Sequence, residues 1–375
     1  MVFRRIWALT TKEFLHLKND WWLPVFMLFG GVLELLLVGW ATSRPITNLP
    51  LMVLDLDHTA SSRKVIQALE NTNTFALEDS VLTRNEIERA LVNGEITMAL
   101  IIPDGFETAL RQIEGVAELP VFLNGAESIP ATAALRSVEG VVRNLSEKII
   151  VERMGLNADQ MAGFDPSLRV WFNESLSEAF YTVPAELGLM LEFTVLLFAA
   201  LAFSRERELG TLEQLLVMPF SSLEIIIGKS IPVIIIGFVD FALMLAMTHF
   251  VFGIPVRGSL VLLLILALGY ILVELGKGMV ISVISRTQHQ AFLLVMLVGM
   301  GDFMFTGYAA PVEAMPQLVQ WFANFVPAQH WLFILRGIML KGSSLDILMP
   351  NLLMLFGLGS VIIAFSLRYV RRALN

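Results

Sequence analysis

Hydrophobic residues in this chain are gathered into uninterrupted blocks about 20 residues long, the length at which an α-helix crosses the hydrocarbon core of a bilayer. Inside such a layer no water satisfies backbone polar groups, so blocks of this kind fold as spanning helices. Composition agrees. Of 375 residues, 56% are hydrophobic and 16% charged, against about 25% charged in an average soluble domain. The blocks fall at about 21–42, 184–203, 223–252, 259–284, 290–308 and 345–367. They predict an α-helical membrane protein with six transmembrane helices. Cysteine is absent, which excludes disulfides, thiolate metal sites and cysteine nucleophiles.

The formal net charge of −8 is unevenly placed: residues 44–180 hold 11 Lys or Arg against 20 Asp or Glu, and the remainder is nearly neutral. That acidic stretch is also the one long segment of soluble composition. It predicts an inserted domain over 43–183, between the first span and a transmembrane domain of five further helices over 184–375. Runs at 49–57, 61–71, 74–80, 84–94, 97–106 and 119–126 alternate strand and helix patterns, an α/β arrangement. A long helical stretch follows at about 127–154, and 167–176 has the pattern of a strand. Asp55, Asp57 and His58 suggest a metal site, but acidic residues ending a strand before a serine-capped helix are common, and the structural reading is preferred. Nothing in the charge pattern forms a basic face for nucleic acid.

Residues 1–20 intersperse Phe3, Ile6, Trp7, Phe14, Leu15 and Leu17 with Arg4, Arg5, Lys12 and Lys18. This pattern predicts an amphipathic helix lying on the membrane face, in contact with lipid. Lys12, Glu13, Lys18 and Asp20 interrupt the apolar run, which argues against a cleavable signal peptide. Orientation follows from Lys and Arg at the span ends. The amino terminus, Arg205, Arg207 and Lys229, Arg286, and Arg368, Arg371 and Arg372 mark one side as cytoplasmic, with both termini there. The acidic insert, 253–258 and 309–344 then lie outside. Within 309–344, Pro311, Pro316 and Pro327 break apolar stretches too short to cross, predicting a re-entrant or interfacial helical pair before the last span.

Gly228-Lys229-Ser230 has the ending of a phosphate-binding loop, but the earlier glycine that loop requires falls at Leu223, and Gly276-Lys277-Gly278 fails in the same way at Ile271. Five histidines without ligand spacing give a metalloenzyme little support. Ionisable residues inside apolar spans are costly and are functional candidates by default: Glu34, Glu192, Asp240, Glu274, Lys277 and Asp302. Glu274 and Lys277, three apart on one helix, read as a structural pair. Glu34, Glu192, Asp240 and Asp302 are candidates for a translocation path.

The stretch 204–222 is an amphipathic segment with charges at 205–208, a glycine at 210, and Leu212, Leu215, Leu216 and Met218 on a helical stripe ended by Pro219. Composition leaves open whether it lies on the surface or docks a partner. RERELGTLEQLLVMP (205–219) resembles the segment after the second span of the ABC type-2 permeases, the membrane subunits of ATP-binding cassette exporters. SRTQHQAF (285–292) resembles that family's polar turn before the fifth span. TGYAAPVEAMP (306–316) and VPAQHWLFILRGIMLKG (326–342) resemble its extracytoplasmic close, with Gly307, Pro311, Glu313 and Pro316. The acidic insert matches the larger bacterial members. Two departures fall on the outward side: Asn173-Glu174 stands where relatives carry Asn-Pro, and Pro184-Ala185 where they carry Pro-Gly.

The resemblance implies a multi-pass protein of the bacterial inner membrane that exports a substrate. ATP is bound and hydrolysed by a separate cytoplasmic cassette ATPase, so the chain carries no cofactor or catalytic residue of its own. It implies pairing with a second permease, identical or sibling, and contact between the ATPase and Arg205, Glu206, Gly210, Thr211 and Glu213. The charges would dock the ATPase and Gly210 would permit close approach. A periplasmic adaptor is a further partner the insert would suit. Two rivals stay open at this level: an ion-coupled secondary transporter using the intramembrane acids, and a membrane-anchored sensor whose insert binds a ligand. The first lacks the internal repeat common in such proteins, and six spans exceed what an anchor requires.

Overall fold

The computed structural model describes residues 2–43, 46–78, 83–112, 117–154, 171–173, 177–308 and 310–374. The chain divides into two units, Met1–Arg44 with Arg169–Asn375, and Pro45–Leu168. It opens with α1 (Val2–Asn19) and α2 (Trp22–Ser43). α1 is amphipathic: Leu9 and Thr10 are buried while Phe3 and Trp7 remain exposed.

The second unit comprises β1 (Leu49–Asp55), α3 (Ala60–Glu70), β2 (Phe75–Leu77), α4 (Arg84–Asn93), β3 (Met98–Ile102), α5 (Phe106–Arg111), β4 (Val121–Leu123) and α6 (Ser128–Met154). Its sheet has the order β2-β1-β3-β4, with β1 parallel to both neighbours and β4 antiparallel to β3. β1 and β3 read as nearly continuous apolar runs because helices cover both faces. Leu51, Val53, Met98 and Leu100 pack with Val65, Leu69, Ala134 and Val138 on one face. Leu54 and Ala99 pack with Ile87 and Ala90 on the other.

At the end of β1 the suspected metal ligands serve the turn instead. Asp55 accepts hydrogen bonds from the Asp57 and His58 amides and, at 2.7 Å, from the Ser62 hydroxyl. Asp57 accepts from the Thr59 hydroxyl at 2.5 Å and the Glu107 amide at 3.1 Å, which ties this turn to α5. Among the described residues no three metal-ligating side chains gather. The strand expected over 167–176 falls mostly outside the described residues, and 171–173 are not in a strand.

The chain continues as α7 (Ala179–Glu208), α8 (Leu212–Val217), α9 (Ser222–Phe250), α10 (Leu260–Ile284), α11 (Gln288–Phe305), α12 (Gln317–Ala323), α13 (Pro327–Arg336) and α14 (Leu345–Leu374). Among the described residues five helices are long and apolar enough to cross a membrane: Pro24–Ser43 within α2, then α7, α9, α10 and α14. Six were expected. The stretch 290–308 corresponds to α11, whose Gln288-His289-Gln290 start and Asp302 reduce its apolarity over 18 residues.

α7 is the hub. Its apolar window is 83% buried within the chain, against 44% for α9 and α10, 22% for α14 and 17% for α2. It is also longer than the expected 184–203, running through Glu208, so Arg205 and Glu206 sit on its last turn. Small residues let neighbouring helices close on one another, as is usual between membrane helices. A Cβ at Gly278 on α10 would lie 2.9 Å from the Leu196 carbonyl oxygen of α7. One at Gly228 on α9 would lie 2.6 Å from Leu9 Cβ on α1, where the Thr10 hydroxyl donates to the Gly228 carbonyl at 3.3 Å. The Gly228-Lys229-Ser230 run is therefore a helix crossing. In 309–344, α13 is buried, and its Trp331 stacks on Tyr270 with ring centroids 5.0 Å apart.

Two outcomes follow. Gly228→Val overpacks the α1–α9 crossing, a change costing about 1–3 kcal/mol, so α1 should loosen and trypsin should cut the solubilised protein faster at Lys12. An unchanged cleavage rate would exclude that contact as the anchor of α1. In the second unit, the Thr59 hydroxyl, helped by the Glu107 amide, holds the Asp57 carboxyl below its ordinary value of 3.8. A depressed folded-state value stabilises the fold above that pH and is lost as pH falls through the depressed value. The protection factor of the Glu107 amide, taken against the intrinsic exchange rate at each pH, should fall below about pH 4 in the wild type and depend less on pH in Asp57→Asn.

Candidate functional site

The last turn of α7 places four consecutive charges on four different elements. Arg205 pairs with Asp20, just beyond α1. Glu206, 3% exposed, accepts from Lys12 Nζ of α1 at 2.6 Å and Lys229 Nζ of α9 at 3.2 Å, and from the Thr211 hydroxyl. Lys229 also reaches Glu13 at 2.6 Å. Arg207 donates to the Val283 carbonyl at 2.9 Å and to that of Ser285, capping the end of α10. Glu208 accepts from the Gln288 amide at 2.7 Å, at the start of α11. Partial burial beside this cluster pushes the His16 imidazole below its ordinary value of 6.5.

This geometry changes the roles expected of the segment. The carboxylate of Glu206 and the guanidinium of Arg205 are engaged inside the chain, so neither presents a free charge to a partner. Thr211 stands at the start of α8, where its hydroxyl donates to Glu206 and does not cap the helix amides. Gly210 is exposed, and a Cβ there would meet no atom of this chain within 4 Å. Its φ of 70° is what calls for glycine. Glu213 projects from α8 and is exposed. Around it Leu209, Leu216, Val217 and Met218 are also uncovered, Val217 at 87%.

A second cluster lies in the helical core. Lys277 Nζ on α10 meets Glu274 at 2.7 Å, Glu192 of α7 at 3.1 Å and Asp302 of α11 at 2.6 Å, and Tyr270 donates to Glu192 at 3.2 Å. The expected Glu274–Lys277 pair is present, but three carboxyls share its ammonium. Of the four path candidates, Glu192 and Asp302 are thus brought together. Asp240 is fully buried on α9 outside this cluster, and Glu34 is exposed on α2. Glu186, which the sequence did not single out, is 2% exposed on α7 and accepts from the Tyr308 hydroxyl at 2.6 Å. Its signal was an acidic residue within the apolar block 184–203, obscured because it stands at the very start of that block.

Near the start of α7 the Gly307 carbonyl accepts from the Tyr181 hydroxyl at 2.6 Å and from Arg336 at 3.1 Å, with the guanidinium 3.7 Å above the Tyr181 ring. Gly307 makes this turn with φ 77°. Pro311 and Pro316 precede the single turn Val312–Ala314 and α12 respectively, and Glu313 is exposed within that turn.

Removing one partner of a buried ion pair costs about 3–5 kcal/mol, because the remaining charge is left uncompensated. Lys277→Met strands three carboxyls at once and should lower the thermal midpoint of the solubilised protein well below that of Lys12→Met, whose side chain is partly exposed. Equal midpoints for the two variants would show that the α7–α10–α11 cluster does not hold the core.

The sequence profile described as "ABC-2 family transporter protein" matches residues 21–368. The chain is 28% identical over 351 residues to "Probable multidrug ABC transporter permease YbhR" of Escherichia coli (strain K12), covering 94% of each. It is 24% identical over 390 aligned positions to "Probable multidrug ABC transporter permease YbhS" of the same strain, covering all of this chain and 98% of the relative. "Inner membrane transport permease YhhJ", also from that strain, is 24% identical over 377 positions, with 99% of this chain and 98% of the relative aligned. With a family profile running from the first apolar helix into the last, this chain belongs to the ABC-2 family of transporter proteins and is a membrane permease subunit of an ABC exporter.

Proposed function

We propose that the chain is the six-crossing permease of a bacterial inner-membrane exporter, with both termini cytoplasmic and α11 as the fifth crossing. The Pro45–Leu168 domain and the re-entrant stretch 309–344 then both belong to the outer side, and an adaptor is the domain's partner. Two permeases, identical or sibling, join two cassette ATPases that bind and hydrolyse ATP. The relatives named multidrug permeases point to a drug cargo moved from the cytoplasm or inner leaflet. Glu34, exposed in the midst of apolar α2, faces the partner permease or the path, and Glu192 and Asp302 line that path's inner wall through Lys277.

The observation that carries the coupling reading is the surface of α8. Leu209, Leu216, Val217 and Met218 form an exposed apolar patch beside Glu213, and uncovered apolar patches mark interaction sites. The patch follows directly on the four charges 205–208, which reach Asp20, α1, α9, α10 and α11. An ATPase seated on α8 therefore pulls on several helices together. Docking is apolar and acidic at α8, and Glu206 transmits the motion without touching the ATPase.

Val217→Asp and Glu213→Lys alter exposed side chains only, so insertion and thermal stability should stay at wild-type levels. Copurified ATPase should fall about tenfold for Val217→Asp, the loss expected of one well-buried interface anchor, and transport should fall with it. Glu206→Gln should instead lower stability. Full ATPase recovery with both α8 variants would reject this surface as the docking site.

A further inference from the structure

The domain of Pro45–Leu168 carries a groove that neither the transmembrane chemistry nor the ATPase contact uses. It lies where α3, α5 and α6 meet and encloses about 490 Å³, within the ~300–1,000 Å³ typical of small-molecule sites. The floor is the open side of the domain's own core. Phe106 is buried in that core, whereas Leu110, Leu119, Val142 and Leu145 pack against it and stay partly uncovered. Such surface gains free energy when hydrocarbon covers it.

Each of the three helices adds one cation to the lining: Lys64, Arg111 and Lys148. Arg111 is neutralised by Glu107 at 2.9 Å, and Ser61 donates to the same carboxylate oxygen at 3.3 Å. Lys64 and Lys148 make no ion pair or hydrogen bond among the described residues. Two uncompensated ammonium groups beside an apolar floor are conspicuous in the acidic segment of the chain, where carboxylates outnumber cations 20 to 11.

We propose that this groove binds a single-chain anionic amphiphile taken as a monomer from water, its hydrocarbon on Phe106, Leu110, Val142 and Leu145 and its carboxylate or sulfate on Lys64 and Lys148. A cationic amphiphile of the same length is refused, because its head would meet the two lysines. The charge pattern separates this site from the intramembrane clusters, which are built on carboxyls. Under the exporter reading, the domain would hold such amphiphiles apart from the membrane path, but binding itself requires neither ATPase nor transport.

The test uses the full chain in lipid nanodiscs without any ATPase, so its failure would leave the permease reading standing. Dodecanoate carrying a diazirine is photolysed on the protein, in parallel with dodecyltrimethylammonium and dodecanol bearing the same group. Dodecanoate should saturably label peptides covering 106–111 and 138–149, and dodecyl sulfate should compete. The cationic probe should label them weakly. In the double variant Lys64→Glu/Lys148→Glu, dodecanoate labelling should fall about tenfold, since two partly exposed charge pairs become repulsions. Lys64→Gln/Lys148→Gln should give an intermediate loss. Both lysines are exposed, and unchanged dodecanol labelling of the same peptides reports that the groove persists. Label confined to the membrane helices, equal labelling by the cationic probe, or undiminished dodecanoate labelling in both double variants would each overturn the proposal.

Discussion

A polar group buried among apolar ones favours a hydrogen-bonding or charged partner, and α7 carries three buried glutamates. Glu186 is held by Tyr308, Glu192 by Lys277 and Tyr270, and Glu206 by Lys12, Lys229 and Thr211. Each partner comes from a different part of the chain, so satisfying one helix's glutamates fixes the positions of α1, α9, α10 and the turn after α11. Between these points the contacts are apolar and close, as at Gly278 against α7. In surroundings where hydrophobic burial does little to choose between helix and lipid, such packing and pairing supply the specificity.

The Glu208 end of α7 shows why a charged motif is not automatically a docking surface. Four adjacent charges point in four directions around a helix, since successive residues are about 100° apart. At the junction of several helices each therefore meets a different neighbour. The chain uses them to bind its own elements together, and presents an apolar, weakly acidic helix beyond them. The start of α8 is tied to α7 by the Thr211 hydroxyl on Glu206. The coupling reading thereby moves from charge attraction at Glu206 to apolar contact at Val217 and its neighbours.

The intramembrane cluster around Lys277 and the groove over Lys64 and Lys148 use opposite electrostatics. The first gathers three carboxyls on one ammonium within a helical core. The second leaves two ammonium groups free over a floor of aliphatic side chains. Asp55 and Asp57, which looked like ligands in the sequence, are consumed by a turn, because carboxylates at a strand end find the amides of Asp57 and His58 in that turn, and of Glu107 on α5, within reach.

The sequence by itself determined the class of molecule. Apolar blocks of span length leave helices as the structure that satisfies the backbone, and the alternating pattern of 49–126 indicated an α/β arrangement, whose strand order and directions the tertiary structure supplied. The ion pair between Glu274 and Lys277 was also legible, because residues three apart share a helix face. The long-range partners were not legible. Lys12 with Glu206 is separated by 194 positions and Lys277 with Asp302 by 25, and periodicity carries no information about which face meets which helix. Glu186 was hidden for a related reason: α7 begins before its apolar block, so a residue the sequence left near the membrane edge is enclosed by the fold. Tertiary structure decided which charges are spent internally and which surfaces stay open, because that depends on distances between helices that only packing sets.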